Sequence, residues 1–422
     1  MEEKRVVLKR HGIVDPLSID DYLSEGGYEG LKKVLSLSSD EVLSEVGQSG
    51  LRGRGGASYP VALKWKVCSA SDERKRYLVC NGVESDPHAR GNKVLLTGDP
   101  HSVIEGMIIA AFAIGAHRGY LYCSRGETEA LKILENGLTQ ARENNYLGDA
   151  ILNTNFNFDI EIVKGEGDFI CGEETVLIAS MEGVRRVARV KPPYPAQAGL
   201  HGKPTVVHNP ETLANLPVIM RSGAKGFREM GVSHDPGTKV LTLSNESGTH
   251  QVIEVGIGTP FREIFFEGGK EIFKGKSFKA LKLGGPTGGF LPEKLLDTPL
   301  DFDSLAKEGQ IMGSGSIKLV TEGSSIVEKA REYISFSVDA SCGLCVPCRF
   351  GLKVLQNLLE KFLKGEAVEE DITTLEEMSR HISDTALCGL GKTAPNPVLS
   401  SIKYFQSEYS ALIKDRSVAL TA

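Results

Sequence analysis

Between residues 49 and 235 the chain alternates short apolar runs with longer stretches of helical period. Three apolar runs have the length of strands: 77–81, 120–123 and 158–163. Two amphipathic stretches have the length of helices: 101–115 and 127–144. Strands that alternate with helices at this spacing predict a parallel α/β sheet. In such sheets ligands bind at the carboxyl ends of the strands.

The regions on either side have different patterns. Residues 1–48 contain short helical patterns, at 20–35 and 38–46, that open with Ser or Asp as helix caps. Between 236 and 325 helix signals fade, with one short helix predicted at 261–267. Short strands between glycine turns are predicted there instead: 239–243, 251–255, 280–283 and 316–320.

Beyond residue 326 apolar residues recur on single helix faces, which predicts a small helical bundle. Leu352, Leu355, Leu359 and Phe362 share one face, and Ile402, Phe405, Tyr409 and Ile413 share another. A chain of 422 residues is too long for one small core. We therefore predict four domains: a helical lead-in at 1–48, an α/β domain at 49–235, a β-rich domain at 236–325 and a helical domain at 326–422.

Charge and composition exclude some classes of function. The net charge is −6 and no long Lys or Arg block is present, which argues against a nucleic-acid partner. The opening residues, Met-Glu-Glu-Lys-Arg, precede no apolar run, so no signal peptide is expected. The longest apolar run, 107–116, is far shorter than the roughly 20 residues of a membrane span. We expect a soluble, cytoplasmic protein without a direct membrane span.

Four of the eight cysteines are candidates for a metal site. Cys342, Cys345 and Cys348 stand three residues apart, and Cys388 is the other cysteine of the helical region. Three closely spaced cysteines with a remote fourth are typical of a 4Fe–4S cluster. Structural zinc is the rival interpretation, although zinc sites more often pair two two-cysteine clips. Cys80 and Cys123 lie in strand-like apolar runs and are expected to be buried.

Three polar stretches are candidates for a ligand site. Residues 50–56 contain four glycines, which would let the backbone approach a phosphate or a flat ring, and Lys64 follows them. Residues 81–87 and 165–175 each follow a predicted strand, and the second carries the adjacent acids Glu173 and Glu174. Adjacent acids are usually a solvated face, but these stand among glycine and apolar residues at the ligand end of the sheet.

These motifs together resemble the NADH-binding flavoprotein subunit of respiratory complex I. The chain is also similar to its relatives, the diaphorase subunits of NAD-linked hydrogenases and formate dehydrogenases. The resemblance rests on Gly-Leu-Arg-Gly-Arg-Gly-Gly-Ala at 50–57, Cys-Gly-Glu-Glu-Thr at 171–175, Lys-Pro-Pro-Tyr-Pro-Ala at 191–196, Glu-Thr-Leu-Ala-Asn at 211–215 and the cysteine run. It implies a Rossmann-like α/β FMN domain, a ubiquitin-like β-grasp domain and a helical bundle that holds a 4Fe–4S cluster.

The resemblance also implies roles for individual residues. FMN would be held by Gly53, Arg54, Gly55, Gly56, Lys64, Asn81, Glu84, Ser85, Gly172, Glu173, Val207, His208, Asn209 and Thr212. NADH would contact Tyr59, Asp86, Glu174, Lys191 and Tyr194, with Glu84 and Glu174 as candidate catalytic residues. Taken alone, Lys64 and Lys191 would pass for surface lysines, and the two tyrosines for core residues. Carboxylates near the ribose favour NAD over NADP.

The chain departs from the family pattern at two positions close to the flavin. Val83 stands where a carboxylate is usual, and His208 where an asparagine is usual. We expect these changes to alter the flavin potential or the nucleotide preference.

The implied function is hydride exchange between NADH and FMN, followed by single-electron transfer through the cluster. The implied partners are a small thioredoxin-like 2Fe–2S subunit and a larger iron–sulfur subunit of a hydrogenase, formate dehydrogenase or complex I-type assembly. One alternative is a flavin relay in an electron-bifurcating complex, with altered or lost reactivity toward NADH. A zinc scaffold without catalysis is the alternative from another class.

Overall fold

The first half of the protein is built on a four-stranded parallel sheet. The computed structural model describes residues 3–413. The strands are β1 (Tyr77–Asn81), β2 (Arg118–Ser124), β3 (Asp159–Gly165) and β4 (Thr205–His208), in the spatial order β3-β2-β1-β4. Every neighbouring pair is parallel. The predicted parallel α/β sheet is confirmed; β4, only four residues long, is an additional strand that the sequence pattern does not predict.

Ten helices accompany this sheet in the described part of the chain. They are α1 (Ile19–Ser24), α2 (Glu29–Val34), α3 (Ser39–Ser49), α4 (Val61–Ser69), α5 (Gly91–Gly98), α6 (Pro100–Ile114), α7 (Thr128–Glu143), α8 (Glu174–Met181), α9 (Pro195–Ala198) and α10 (Pro210–Arg228). Asp99 caps α6 by accepting a hydrogen bond from the Ser102 amide, and Gly115, at φ 69°, ends it. Helix α6 is buried along nearly its whole length, as its apolar run predicts.

Helices α6 and α10 approach each other closely at Gly106. A Cβ at this position would lie 2.1 Å from the carbonyl oxygen of Leu213. We expect Gly106→Ala to destabilise the protein by about 1–3 kcal/mol, because two buried backbones would have to move apart. Gly47→Ala in α3 is the matched control, since its Cβ would lie 3.5 Å from that of Ala62 and the change favours the helix. Denaturant unfolding checks both, and an unchanged midpoint for Gly106→Ala would contradict this packing.

The helical pattern predicted over residues 20–35 is confirmed in part, because the chain forms two short helices there instead of a continuous one. Gly27 lies in the break and packs so closely against Tyr22 that a Cβ would come 2.0 Å from the ring. The break is held by the buried carboxylate of Glu105 in α6, which accepts hydrogen bonds from the Tyr22 hydroxyl and the Tyr28 amide. Local periodicity does not reveal this contact, because Glu105 is far away in the sequence.

A second, mixed sheet follows. Its strands are β5 (Thr238–Ser244), β6 (His250–Gly256), β7 (Ala280–Leu283), β8 (Phe290–Pro292) and β9 (Ser316–Val320), in the order β6-β5-β9-β7-β8. Only β5 and β9 pair in parallel. The four predicted strands are confirmed. The predicted helix at 261–267 forms as one turn, α11 (Phe261–Glu263), followed by a π-helical segment, Ile264–Gly268; α12 (Lys270–Phe273) and α13 (Phe302–Lys307) complete the region.

The last described part of the chain is helical. It contains α14 (Ile326–Ala340), α15 (Leu352–Leu363), α16 (Glu369–Thr385), α17 (Gly389–Thr393) and α18 (Asn396–Ser410). Leu352, Leu355, Leu359 and Phe362 are fully buried, as the predicted helix face requires. Tyr409 is also fully buried, Ile402 is nearly so, and Phe405 and Ile413 are partly buried. Within residues 3–413, no helix is long and apolar enough to cross a membrane.

Candidate functional site

Three loops meet at the carboxyl-end edge of the parallel sheet. One follows β1, one runs from β3 to Glu173 at the start of α8, and the third joins β4 to α10 through Asn209. The glycine-rich segment 50–60 lies against this edge, since a Cβ on Gly55 would come 3.0 Å from the Cβ of Asn209. The structure thus brings together the three stretches that the sequence singles out.

The glycine segment is held by its neighbours through its backbone. The Arg54 amide donates to the Thr212 hydroxyl at 2.8 Å. Gly56 has a φ of 113°, and a Cβ there would lie 3.2 Å from the backbone of Gly313 in the turn before β9. Side chains at 55 and 56 would crowd these neighbours, and the φ of Gly56 is strained for any other residue. The segment therefore offers bare backbone, as the approach to a phosphate or a flat ring requires.

The Arg54 side chain points into the protein. Its guanidinium is buried, donates to the Pro236 carbonyl at 2.6 Å and lies 3.7 Å from the Asp235 carboxylate. Burial lowers the pKa of Arg54 against the opposing effect of nearby Glu211 and Asp235. The side chain thus anchors the glycine segment to the start of β5.

Glu84, in the loop after β1, is held by the first turn of α5. Its carboxylate accepts hydrogen bonds from the amides of Asn92 (2.7 Å) and Lys93 (3.3 Å). Burial nevertheless raises the pKa of Glu84 to about 7, and the nearby Asp86 adds to the rise. A carboxyl group with this pKa can hold or release a proton near neutral pH, which suits a catalytic acid or base.

We expect Glu84 to make stability depend on pH. Because its folded pKa is raised above the ordinary value of 4.5, the stabilisation is complete below that value and is lost as the pH rises through about 7. The apparent melting temperature of the wild type should therefore fall between pH 5 and pH 7.5, and fall less in Glu84→Gln. Glu143→Gln, at an exposed position, should behave as the wild type. Equal slopes in wild type and Glu84→Gln would exclude a buried, proton-binding Glu84.

Several predicted flavin residues converge beside Glu84. The side-chain amide of Asn81 donates to the Cys171 carbonyl at 3.4 Å. A Cβ on Gly172 would lie 3.8 Å from the Ser85 hydroxyl. The loops after β1 and β3 are therefore in contact.

The charged residues Lys64, Glu173, Glu174 and Lys191 form one cluster, which we call the charge cluster. Lys64 lies 3.1 Å from Glu174, and Lys191 lies 2.7 Å from Glu173 and 3.4 Å from Glu174. Lys64 also donates to the Val207 carbonyl at 3.1 Å. Burial favours a neutral Glu174, but the two lysines outweigh it and lower the pKa of this carboxyl. Burial likewise opposes the charge on Lys191, and the glutamates raise its pKa. Glu174 and Lys191 therefore stay charged near neutral pH.

Tyr59 and Tyr194, predicted to contact the nucleotide, are solvent-accessible rather than core residues. Their exposed fractions are 50% and 54%. The Tyr59 carbonyl accepts a hydrogen bond from the Gly53 amide at 2.9 Å, which closes the glycine segment. Both rings are free to stack on a base.

Asp86 and His208 are engaged away from the charge cluster. The Asp86 carboxylate is buried and accepts hydrogen bonds from the hydroxyls of Ser314 (2.7 Å) and Ser316 (2.6 Å). The buried His208 ring accepts a hydrogen bond from the Trp65 indole at 2.7 Å. Burial, helped by Lys64, holds the pKa of His208 well below its usual value, so the ring is neutral. Asp86 thus ties the loop after β1 to residues 314–316, and it also accepts a hydrogen bond from the His88 amide at 2.9 Å, whereas His208 ties β4 to Trp65 of α4.

Val83 and Val207 are buried in a small apolar cluster with Tyr77, Val79 and Leu177. Val83 therefore replaces a potential charge by an apolar contact next to Glu84.

The four candidate cysteines come together at the entrance of the helical region. The charges of Cys345, Cys388 and Cys342 all act on Cys348, whose pKa burial raises to about 11. Ser341 places its hydroxyl 3.1 Å from the Cys348 sulfur. Within residues 3–413, no three His, Cys, Asp or Glu side chains converge tightly enough to hold a single metal ion. A 4Fe–4S cluster instead spreads four thiolates over four iron atoms, and four thiols are the donor set it requires.

Cys388 reaches this group from the start of α17. A Cβ on Gly391, one turn further on, would lie 2.6 Å from the Cβ of Ala386 and 3.3 Å from that of Cys348, so glycine lets the segment pack closely here. Burial raises the pKa of the Cys388 thiol, while hydrogen bonds from the amides of Gly391 and Leu390 oppose the rise. Amide donors of this kind stabilise the thiolates of iron–sulfur clusters. Cys80 and Cys123 are buried in strands, as predicted.

Sequence reasoning missed several residues that shape the site. Asn92 joins the Val83 carbonyl (3.0 Å) to the Asn209 side chain (2.8 Å). The turn at 313–316 packs on Gly56 and holds Asp86. Its alternation of glycine and serine is a signal that could have found it, whereas nothing local marks Asn92.

Two segments of the chain match models of known protein families. Residues 46–218 match the Nuo51 FMN-binding domain, and residues 328–412 match the NADH-ubiquinone oxidoreductase-F iron–sulfur binding region. The chain is 44% identical over 415 residues to the NADP-reducing hydrogenase subunit HndC of Solidesulfovibrio fructosivorans, a match that covers 98% of this chain and 84% of that protein. It is 40% identical over 393 residues to the F subunit of the NADH-quinone oxidoreductase of Aquifex aeolicus (strain VF5), covering 93% and 90%.

Solved structures of hydrogenases resemble this chain in fold. An NAD+-reducing NiFe hydrogenase in the H2-reduced state superimposes with a TM-score of 0.82 and 30% identity, covering 92% of this chain and 65% of that chain. The air-oxidised state of such an enzyme gives 0.80 and 31%, covering 89% and 63%. The present chain thus spans slightly less than two thirds of those hydrogenase chains.

Proposed function

This chain belongs to the family of NADH-binding flavoprotein subunits that includes the F subunits of NADH-quinone oxidoreductases and the diaphorase subunits of hydrogenases, and on that premise we propose its function. It is an oxidoreductase subunit that exchanges a hydride between NADH and FMN and passes single electrons through a 4Fe–4S cluster to partner subunits. When bound, FMN supplies the chemistry that converts two-electron hydride transfer into one-electron transfer, and the reverse. The residues of the chain bind, orient and shield the reactants.

The observation that carries this proposal is the proximity of the charge cluster to the cysteines. The charge of Glu173 acts on the thiol of Cys388 and contributes to the raised pKa of that thiol. Glu173 also caps α8 and pairs with Lys191. The two parts of the site therefore adjoin, as electron transfer from a flavin to a cluster requires.

In this proposal FMN would be held by the glycine segment and by the edge formed by Asn81, Ser85, Gly172 and Asn209. Gly53, Gly55 and Gly56 present backbone, and Arg54 and Thr212 hold that backbone in place. Glu84 holds or moves a proton beside the ring, and Lys64 supplies a positive charge. Val207 and His208 would contribute indirectly, through the position of strand β4, which carries both.

The nucleotide would enter between Tyr59 and Tyr194 and meet Glu174 and Lys191. Glu174 and Glu173 disfavour the additional phosphate of NADP, so we propose NADH as the preferred donor. The relative HndC is named as a subunit of an NADP-reducing hydrogenase, which makes this preference a point to test. Asp86 would contribute through the position of its loop rather than by direct contact.

The finer architecture is part of the same proposal. The mixed sheet would be the ubiquitin-like β-grasp domain, and α14–α18 the helical bundle around the cluster, with domain limits at 48, 235 and 325. The match at 328–412 supports iron–sulfur over zinc for Cys342, Cys345, Cys348 and Cys388.

The relatives belong to multisubunit assemblies, so iron–sulfur partner subunits are implied. We propose a small thioredoxin-like 2Fe–2S subunit and a larger iron–sulfur subunit as the specific partners, in the cytoplasm. A flavin relay in an electron-bifurcating complex is the alternative that the departures at Val83 and His208 leave open.

Anaerobic optical titration of the purified protein with NADH, and separately with NADPH, tests the proposal. We expect NADH to bleach the flavin band and lower the iron–sulfur absorbance, and NADPH to do so only at much higher concentration. A bound flavin that neither nucleotide reduces would reject NADH oxidation and favour the relay. Protein that binds zinc and no flavin would reject the whole proposal.

A further inference from the structure

A buried cation, Lys282, lies outside the residues considered so far. Its side chain on β7 is 2% exposed. Its ammonium group donates to the carbonyls of Gly285 and Gly288, the second at 2.8 Å, and lies 4.4 Å from the centre of the Tyr333 ring in α14. Burying a charge among neutral partners costs free energy, so a lysine in this setting is a candidate for function.

The turn that Lys282 holds touches the loop after β1. A Cβ on Gly285 would lie 2.3 Å from the Asp86 carboxylate, so the turn and the carboxylate are in direct contact. The same carboxylate oxygen of Asp86, Oδ2, accepts hydrogen bonds from the hydroxyls of Ser314 and Ser316. Lys282 therefore links the loop that carries Glu84 and Ser85 to the helix that leads into the cysteine run.

Four titratable groups lie around Lys282, namely Lys318, Asp86, His88 and Tyr333. Lys318 of β9 stands directly opposite it in the sheet. Asp86 and His88 belong to the loop after β1, and Tyr333 to α14. Burial lowers the pKa of Lys282 to about 7, against the opposing effect of Asp86. Burial also lowers the pKa of His88 to about 4 and raises that of Tyr333, so both stay neutral near pH 7.

We propose that Lys282 is a positioning residue that joins the flavin-side loop to the cluster-side helix, and that its positive charge raises the reduction potential of the flavin. This inference rests on the proposed function, because it assumes FMN beside Glu84 and Ser85. A nearby positive charge stabilises the added negative charge of a reduced flavin more than the neutral oxidised ring. Lys282 does not touch the reactants and acts only through its charge and through the turn.

Two variants separate the charge of Lys282 from its hydrogen bonds. Lys282→Met removes both, whereas Lys282→Gln is neutral but keeps a donor for the turn carbonyls. Lys318→Met is the matched control, because it removes a positive charge from the neighbouring strand of the same sheet. The flavin midpoint potential is measured by spectroelectrochemical titration of full-length protein with its cofactors, at pH 6 and pH 8.

At pH 6 we expect both Lys282 variants to shift the midpoint to more negative values. At the wild-type midpoint their ratio of reduced to oxidised flavin should fall at least tenfold. The shift should shrink at pH 8, where the wild-type lysine has lost much of its charge, and Lys318→Met should change the ratio less.

A wild-type potential in Lys282→Gln at pH 6 would overturn the proposal and leave only a structural role, and so would an equal shift in Lys318→Met. These outcomes are distinct from failure of the proposed function, which would appear as wild-type protein without an NADH-reducible flavin.

Discussion

Replacing Cys348 by alanine is expected to abolish the iron–sulfur cluster. Its thiol is influenced by all three other candidate cysteines and is 5% exposed, so alanine removes the donor from a buried position among them. Iron and acid-labile sulfide should fall from about four of each per chain, as a 4Fe–4S cluster contains, to near zero. Chemical analysis of anaerobically purified protein measures both.

Cys68→Ala is the matched control for this variant. Cys68 is also buried, on α4, and burial raises the pKa of its thiol to about 11, as it does for Cys348. Both substitutions therefore remove a buried thiol of similar character, and only one should remove iron. Full iron content in Cys348→Ala, or zinc in the wild type, would contradict the cluster assignment.

Replacing Glu174 by glutamine is expected to weaken NADH-dependent flavin reduction by roughly 30-fold, or about 2 kcal/mol. Glu174 neutralises Lys64 at 3.1 Å and Lys191 at 3.4 Å. Glutamine keeps the shape but leaves two lysines facing one carboxylate. The expected free-energy loss is smaller than for a fully buried ion pair, because the Glu174 side chain is 23% exposed and solvent screens part of the interaction.

Stopped-flow reduction by NADH measures this effect, with FMN content as the check that the site has formed. Glu182→Gln is the control: Glu182 caps the carboxyl end of the same helix and accepts a hydrogen bond from the His201 amide, outside the charge cluster. We expect Glu182→Gln to react at the wild-type rate. If Glu174→Gln also kept that rate, Glu174 would have no part in binding or chemistry.

Much of the fold could be predicted because it depends on local patterns of apolar and polar residues. The strand predicted at 77–81 is β1, and the helix predicted at 101–115 is α6 to within one residue at each end. Both are long or strongly apolar segments whose burial is set by the period of their own side chains. The capping box at Ser38, which starts α3, is equally local.

The segments that were not predicted correctly are those whose conformation depends on residues distant in the sequence. The break between α1 and α2 depends on the Glu105 carboxylate of α6. Strand β8 has three residues and exists because β7 pairs with it. Such contacts join residues far apart in the sequence, and local periodicity does not contain them.

The candidate site divides in the same way. The thiols, the glycine segment and the adjacent glutamates are recognisable from residue type and spacing, because ligand chemistry limits which residues can serve. The contacts that those residues make could not be predicted from residue type and spacing. Lys64 and Lys191, assigned to different ligands from the resemblance, share the carboxylate of Glu174.

Residue type and spacing were thus enough to predict the parallel sheet and to single out the four cysteines as cluster candidates, since these depend on short-range order and donor identity. The chemistry of NADH and FMN was implied by the resemblance to a known family. The tertiary structure alone shows that Arg54 anchors a loop, that Asp86 and His208 are buried and hydrogen-bonded to Ser314, Ser316 and Trp65, and that a buried Lys282 lies between the two halves of the site. Each of these depends on burial and on charges from distant segments. The physical reason is that desolvation and Coulomb interactions are set by distance in space, which separation along the chain does not determine.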